Sequence, residues 1–174
     1  MNLPSGVVVK TDVDVASVDF LGLLKELKNK VFNGYLCIAV KGKTGFEEGV
    51  MVFDNGKIEA VAYDYLAFNK SVVGSKALAR VMNASSAKVG VLDIFQLSNE
   101  QVQLIIAFNE QAIVVPSEDE LKRLKTDVFS NSLEEEVVGG EKVETEKDIL
   151  KKYKLSGVKV EKTEEEDELK KLLG

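Results

Sequence analysis

The chain has 174 residues, of which 45% are hydrophobic and 30% charged, so it can form one globular domain with an appendage. It contains no histidine and one cysteine, Cys37, which excludes Ser-His and Cys-His hydrolases, an internal disulfide and multi-cysteine metal sites. Its net charge of −6 disfavours nucleic acid as a partner, because phosphate binding requires excess lysine and arginine. We therefore expect no enzyme activity, cofactor, metal or nucleic-acid partner.

The N-terminal sequence MNLPSGVVVKTDVDV lacks the basic start and long apolar run of a secretory signal. No apolar stretch approaches the roughly 18 to 20 residues that span a bilayer. We expect a cytoplasmic protein without a membrane partner.

The first elements are an N-terminal strand or extended arm and a helix. Valines at 7–9, 13 and 15 suggest the extended segment. Within 17–32 apolar residues recur at helical spacing, which predicts a helix that ends at Asn33-Gly34. The apolar positions are Phe20, Leu23, Leu24, Leu27 and Val31.

Three antiparallel strands are predicted next. Residues 34–42 are apolar on both faces, which indicates a central strand with Cys37 in the core. Residues 49–63, GVMVFDNGKIEAVAY, form a hairpin whose tip is Asn55-Gly56, because both positions tolerate the positive φ of a tight turn. The strands therefore follow one another as a meander.

The second half of the domain begins with a small-residue and polar loop at 64–73. A helix at 74–84 and a fourth meander strand at 88–97 follow. Ser98 and Gln101 form a capping box that opens another helix. We expect this helix to be buried because its apolar residues cover most directions around the axis: Val102, Leu104, Ile105, Ile106 and Phe108.

Two short motifs have competing interpretations. Gly42-Lys43-Thr44 resembles the end of a phosphate-binding loop, but Cys37 replaces the required glycine and a strand follows, which favours a polar turn. Tyr63, Tyr65 and Phe68 follow the hairpin and form either the rim of a binding surface or ordinary strand aromatics.

A charged repeat marks the C-terminal part. The sequence EDELKRL at 118–124 recurs as EDELKKL at 166–172, with a degenerate relative, EKDILKKY, at 146–153. These segments are short amphipathic helices that dock on the domain, order against a partner, or only solubilise the chain. The apolar residues of the last two segments include Ile149, Leu150, Tyr153, Leu169 and Leu172.

We predict three regions: a globular α+β domain at 1–129, a flexible acidic linker at 130–144, and a charged tail with short amphipathic helices at 145–174. The domain is an antiparallel meander sheet of about four to five strands packed by about three to four helices. Its expected core comprises Phe20, Leu24, Leu36, Ile38, Val52, Phe53, Ile58, Ala60, Leu78, Val91, Phe95, Ile105 and Ile106.

A pattern of turn glycines and apolar core positions runs through the predicted domain: Leu24, Gly34, Leu36, Ile38, Gly49, Phe53, Gly56, Ile58, Gly74, Ala77, Leu78, Val91 and Phe95. In this pattern the chain resembles the PATAN-type domains that are fused to bacterial response regulators and other signalling proteins. The whole chain, with its LPSG start and DILKKYKL tail, resembles a stand-alone archaeal family of unknown function.

The resemblance implies an α+β domain that mediates protein contacts in signalling or regulation, without known catalytic residues. We therefore expect a non-catalytic interaction or regulatory module with a protein partner, and an uncovered edge strand would also permit a homodimer. The alternative is a small-ligand or nucleotide sensor with a pocket between sheet and helices. The candidate contact residues are Tyr63, Tyr65, Phe68, Ile149, Leu150, Tyr153, Leu169 and Leu172.

Overall fold

The computed structural model describes residues 1–139 of the chain. All of them belong to a compact unit that comprises Met1–Glu141. The predicted tail at 145–174 lies outside the described residues, as does most of the predicted linker.

Six antiparallel strands form one sheet in the described part of the chain: β1 (Val7–Asp14), β2 (Gly34–Lys41), β3 (Phe46–Asp54), β4 (Lys57–Tyr65), β5 (Lys70–Val73) and β6 (Gly90–Gln96). Their order across the sheet is β1-β6-β2-β3-β4-β5. The predicted three-stranded meander is confirmed for β2 to β4, and β5 extends it by one strand. Strand β6 does not continue the meander but pairs with the other side of β2, and β1 pairs with β6.

Five α-helices accompany the sheet within residues 1–139: α1 (Phe20–Asn29), α2 (Ser75–Ala84), α3 (Asn99–Phe108), α4 (Glu118–Leu124) and α5 (Ser132–Val138). The α+β class is confirmed, but the sequence prediction missed β5 and α5. The four-residue β5 lies in the segment interpreted as a loop. Helix α5 lies within the residues predicted to form a linker, and its Val138 is buried.

Two apolar clusters lie on opposite faces of the sheet, because alternate residues of a strand point to opposite sides. Leu36 and Ile38 belong to the larger cluster with residues of α1 and α2. Tyr35 belongs to the smaller one with residues of α3. Cys37 is half-buried against the smaller cluster, and burial raises the pKa of its thiol to about 12.

Part of the predicted core is exposed. Helix α3 buries Val102 and Ile105 but leaves Leu104 56% and Phe108 82% exposed, so the prediction of a helix buried on most sides is wrong. Its outer face has no second layer to cover it within the described residues. Val91 is exposed, and Phe95 and Ile106 are half-buried. The other predicted core residues are buried.

Helix α1 ends earlier than its apolar spacing indicates. The N–H groups of Val31 and Phe32 donate to the carbonyls of Lys28 and Leu27, which is the hydrogen-bond pattern of a Schellman motif. Val31 takes the left-handed position of this motif with φ 52°, where glycine is the usual residue. It is therefore an exposed, strained end of the helix and does not belong to the buried stripe.

No helix within residues 1–139 is long and apolar enough to cross a membrane.

Candidate functional site

A concave apolar surface lies where α1, the tip of the β3–β4 hairpin and α4 meet. We call it the α1–α4 groove, and its cavity volume is about 320 Å³. The floor of the groove consists of side chains of the larger apolar cluster. Half-buried and exposed apolar side chains lie at the edges of the groove. The apolar residues that line it include Leu21, Leu24, Phe53, Ile58, Val115 and Leu121.

The connection between α3 and α4 forms one edge of the groove. The N–H of Val114 donates to the carbonyl of Glu59 at 2.9 Å, so the connection runs beside the start of β4. Val115, which follows, is 61% exposed at the groove edge. Ser117 then accepts a hydrogen bond from the N–H of Glu120 and so caps the start of α4.

Gly56 fixes the other end of the groove at the hairpin tip. The predicted Asn55-Gly56 turn is confirmed, with φ 48° and 78°. The N–H of Gly56 donates to the carbonyl of Phe32 at 2.8 Å. A Cβ on Gly56 would lie 2.6 Å from the carbonyl oxygen of Lys28, so a side chain cannot fit between the hairpin and the end of α1.

Four lysines surround the apolar floor: Lys25, Lys28, Lys57 and Lys122. The lining contains one carboxylate, Glu118, which pairs with Lys28 at 2.6 Å across the groove. Lys28, whose side chain is 53% exposed, lowers the pKa of Glu118 through a hydrogen bond and its charge. The rim is thus positively charged although the chain carries a net charge of −6.

A second cluster of charges is buried, and we call it the Arg80 network. Nη2 of Arg80 lies 2.5 Å from Oε2 of Glu47, and Nε donates to the same oxygen at 3.0 Å. The hydroxyl of Tyr63 also donates to this oxygen at 2.7 Å. Burial raises the pKa of Glu47, while the hydrogen bond from Tyr63 and the charge of Arg80 oppose the rise.

The Arg80 network attaches the segment after α4 to the sheet. Arg80 donates from Nη1 to the carbonyl of Ser130 and lies 4.6 Å from the ring centroid of Phe129. Asn83 bonds both Thr126 and the N–H of Ser130. Since these partners all belong to the chain, the network is an internal structural connection.

Helix α5 binds the turn between β2 and β3. Glu134 accepts hydrogen bonds from the N–H of Lys43 and from Oγ1 of Thr44, and Lys43 pairs with Glu135 at 2.8 Å. The Gly42-Lys43-Thr44 segment is therefore a polar turn, as predicted. Its donor groups bind the carboxylates of Glu134 and Glu135 in α5.

Two of the three aromatic residues considered as candidate contacts are buried in the domain. Tyr63 is 0% and Tyr65 2% exposed, and both pack beside Arg80 with ring centroids 5.5 and 5.8 Å from its guanidinium carbon. They are covered because α2 packs on this face of the sheet. Phe68 is half-buried against the core. The other candidate contacts lie outside the described residues: Ile149, Leu150, Tyr153, Leu169 and Leu172.

The sequence prediction missed the groove residues. The sequence did contain one signal for them. Residues 21, 24, 25 and 28 have the i, i+3, i+4, i+7 spacing of one helical face, and this face carries two leucines followed by two lysines. The other residues of the groove belong to distant parts of the chain, and local sequence patterns do not predict that these parts lie close together.

A family model described as "Uncharacterized protein conserved in archaea (DUF2226)" matches residues 1–109. The chain belongs to this family. The resemblance to an archaeal family of unknown function is thereby confirmed, whereas the resemblance to PATAN-type domains stays a prediction.

An uncharacterized protein of Archaeoglobus fulgidus is 30% identical to this member of the family over 169 residues. The alignment covers 97% of this chain and 62% of the length of that relative. No solved structure matches the chain significantly.

Proposed function

We propose that this chain is a non-catalytic, cytoplasmic interaction module of PATAN-like type that binds a protein partner through the α1–α4 groove. The observation that supports this function is the combination of an apolar floor with four lysines on one concave surface. Exposed apolar area bordered by polar residues is typical of protein-binding sites.

The framework of the groove suits a binding site. Leu24, Phe53 and Ile58 are core residues that also form its floor, so the floor is held in place by the packing of the domain. Val115 adds an apolar side chain that the described residues leave largely exposed. A rigid floor with an exposed anchor point limits the conformational entropy lost on binding.

The proposal of a non-catalytic role is supported by the buried state of the Arg80 network. Glu47, Tyr63 and Arg80 are each at most 2% exposed, so a substrate in solution does not reach these ionisable groups. The net charge of −6 also favours a protein partner over nucleic acid.

Affinity capture with the full-length chain from a lysate of its own organism tests the proposal. We compare wild type with Val115→Asp and with Val89→Asp, since the two valines are 61% and 63% exposed and Val89 lies outside the groove. A partner retained by wild type and Val89→Asp but lost by Val115→Asp supports the proposal. Retention of every partner by Val115→Asp contradicts it.

A second candidate function is small-ligand sensing, because the cavity volume of about 320 Å³ falls at the lower end of ligand pockets. This candidate predicts that a metabolite raises the melting temperature of wild type and of Val89→Asp but not of Val115→Asp. A screen in which no compound stabilises the full-length chain counts against it.

A further inference from the structure

We propose that the element bound by the α1–α4 groove is an acidic amphipathic helix of a partner protein. This inference rests on the proposed function and names the chemistry of the partner. It is carried by the shape of the groove, by the apolar residues on its floor and by the charges on its rim.

The shape of the groove matches a short helix. One wall is a single stripe of α1 at i, i+3, i+4 and i+7, formed by Leu21, Leu24, Lys25 and Lys28. Seven residues of helix rise about 10 Å, so this wall is about two turns long. Helix α4 forms the facing wall, with the hairpin tip between the two. A helix that lies between two helices can pack its side chains into the grooves of both.

The apolar floor provides contacts for the side chains of such a helix. Leu21 and Leu121 are half-buried on the two walls, and Val115 is exposed at the edge. Amphipathic helices bind hydrophobic grooves through apolar residues at i, i+3 or i+4, and i+7. Leucine-like residues at this spacing would cover the apolar area that the described part of the chain leaves exposed.

The charges on the rim select an acidic helix. Lys28 pairs with Glu118 and Lys122 with Asp119, whereas Lys25 and Lys57 form no hydrogen bond or ion pair within residues 1–139. Carboxylates on the polar face of the bound helix would meet these two ammonium groups. A basic helix would instead add like charges at the same positions.

The test uses the full-length chain and a fluorescent synthetic peptide of about 14 residues, or two heptads. The peptide carries leucines at i, i+3, i+4 and i+7 and glutamate or glutamine elsewhere. The control peptide keeps the leucines and replaces each glutamate by lysine. Binding is measured by fluorescence anisotropy at low and at physiological salt.

Two double variants with the same change of charge locate the binding site. Lys25→Glu/Lys57→Glu reverses the unpaired rim lysines, and Lys41→Glu/Lys88→Glu reverses two exposed lysines outside the groove. We expect the dissociation constant of the acidic peptide to rise about tenfold in the groove variant and less than about twofold in the control. The affinity should fall as salt rises.

Binding of the acidic peptide that the groove variant weakens and the control variant does not supports the inference. Failure of the acidic peptide to bind, equal binding to both variants, or preference for the basic peptide overturns it. The fatty acid laurate serves as a small-ligand probe. If it raises the melting temperature of wild type but not of Val115→Asp, and no peptide binds, the inference is overturned and the small-ligand function is favoured. The proposed function fails separately, when Val115→Asp retains every captured partner.

Discussion

The Arg80 network and the α1–α4 groove use positive charge in opposite ways. Arg80 is 1% exposed, and its guanidinium bonds a carboxylate, a carbonyl and an amide oxygen of its own chain. The side chain of Lys28 is 53% exposed and forms a surface ion pair beside an apolar floor. The N–H groups of the buried arginine donate to partners within the fold, whereas the exposed lysines can donate hydrogen bonds to another molecule.

The difference in burial also determines the free-energy cost of breaking each ion pair. A buried charge that loses its partner stays unsolvated, so breaking the pair is costly even where forming it gains little. An exposed pair exchanges its partner for water, and salt screens it. We therefore expect substitutions in the Arg80 network to change stability, and substitutions on the groove rim to change binding.

The largest expected effect follows from Arg80→Met. The substitution leaves Glu47 buried without its cation and should lower the free energy of unfolding by about 3–5 kcal/mol, measured by urea denaturation of the full-length chain. Adding Glu47→Gln should recover part of this loss, because the uncompensated charge is then removed. Equal losses in the single and double variants would show that the ion pair has no special role.

Gly56→Ala tests how the backbone holds the groove. Its φ of +78° and the 2.6 Å approach of the Lys28 carbonyl predict a loss of about 2–3 kcal/mol in the free energy of unfolding. Gly139→Ala is the matched control, since Gly139 has φ +62° but no atom within 4 Å of an added Cβ. It should lose about 1 kcal/mol from backbone strain alone. Similar losses in both would disprove the close contact.

Val31→Gly should stabilise the chain by about 1 kcal/mol, because glycine takes the left-handed position at the end of α1 without strain. Val128→Gly provides the comparison, since Val128 is also exposed but has no positive φ. This control should lose stability as the unfolded chain gains freedom. Thermal unfolding distinguishes a rise in melting temperature from a fall.

The smallest expected effects are opposite pH dependences of stability. Burial raises the pKa of Glu47 above 4.5, so the folded state binds more protons than the unfolded one and stability falls as pH rises from 4.5. Lys28 lowers the pKa of Glu118, so the stability that this pair contributes is lost as pH falls below 4.5. Urea titrations across this range should show that Glu47→Gln removes the first slope and Glu118→Gln the second. Slopes of the same sign would contradict the contrast between the two regions.

Local patterns predicted the features that depend on neighbouring residues. Asn55-Gly56 specified the hairpin, Ser98 and Gln101 formed the complete capping box at the start of α3, and the apolar run at 34–42 became a central strand. Each signal arises from turn geometry, capping or hydrophobic spacing within about ten residues. The α+β class follows from these elements together.

The same patterns failed where a distant element decides the outcome. Tyr63 and Tyr65 follow ordinary strand spacing, and their burial depends on α2 and on Arg80. Leu104 and Phe108 are as apolar as the residues buried beside them, yet no further layer covers them in the described part of the chain. Spacing shows that a face is apolar, but not whether another element packs on it.

The sequence by itself determined the strands of the meander, most helix starts and the membership of an archaeal family. Tertiary structure alone placed β6 beside β2, buried the Glu47–Arg80 pair and brought α1, the hairpin tip and α4 together around one groove. The physical reason is the range of the interactions. Turns and caps are made between near neighbours, whereas a groove and a buried ion pair exist only after segments far apart in the chain have packed.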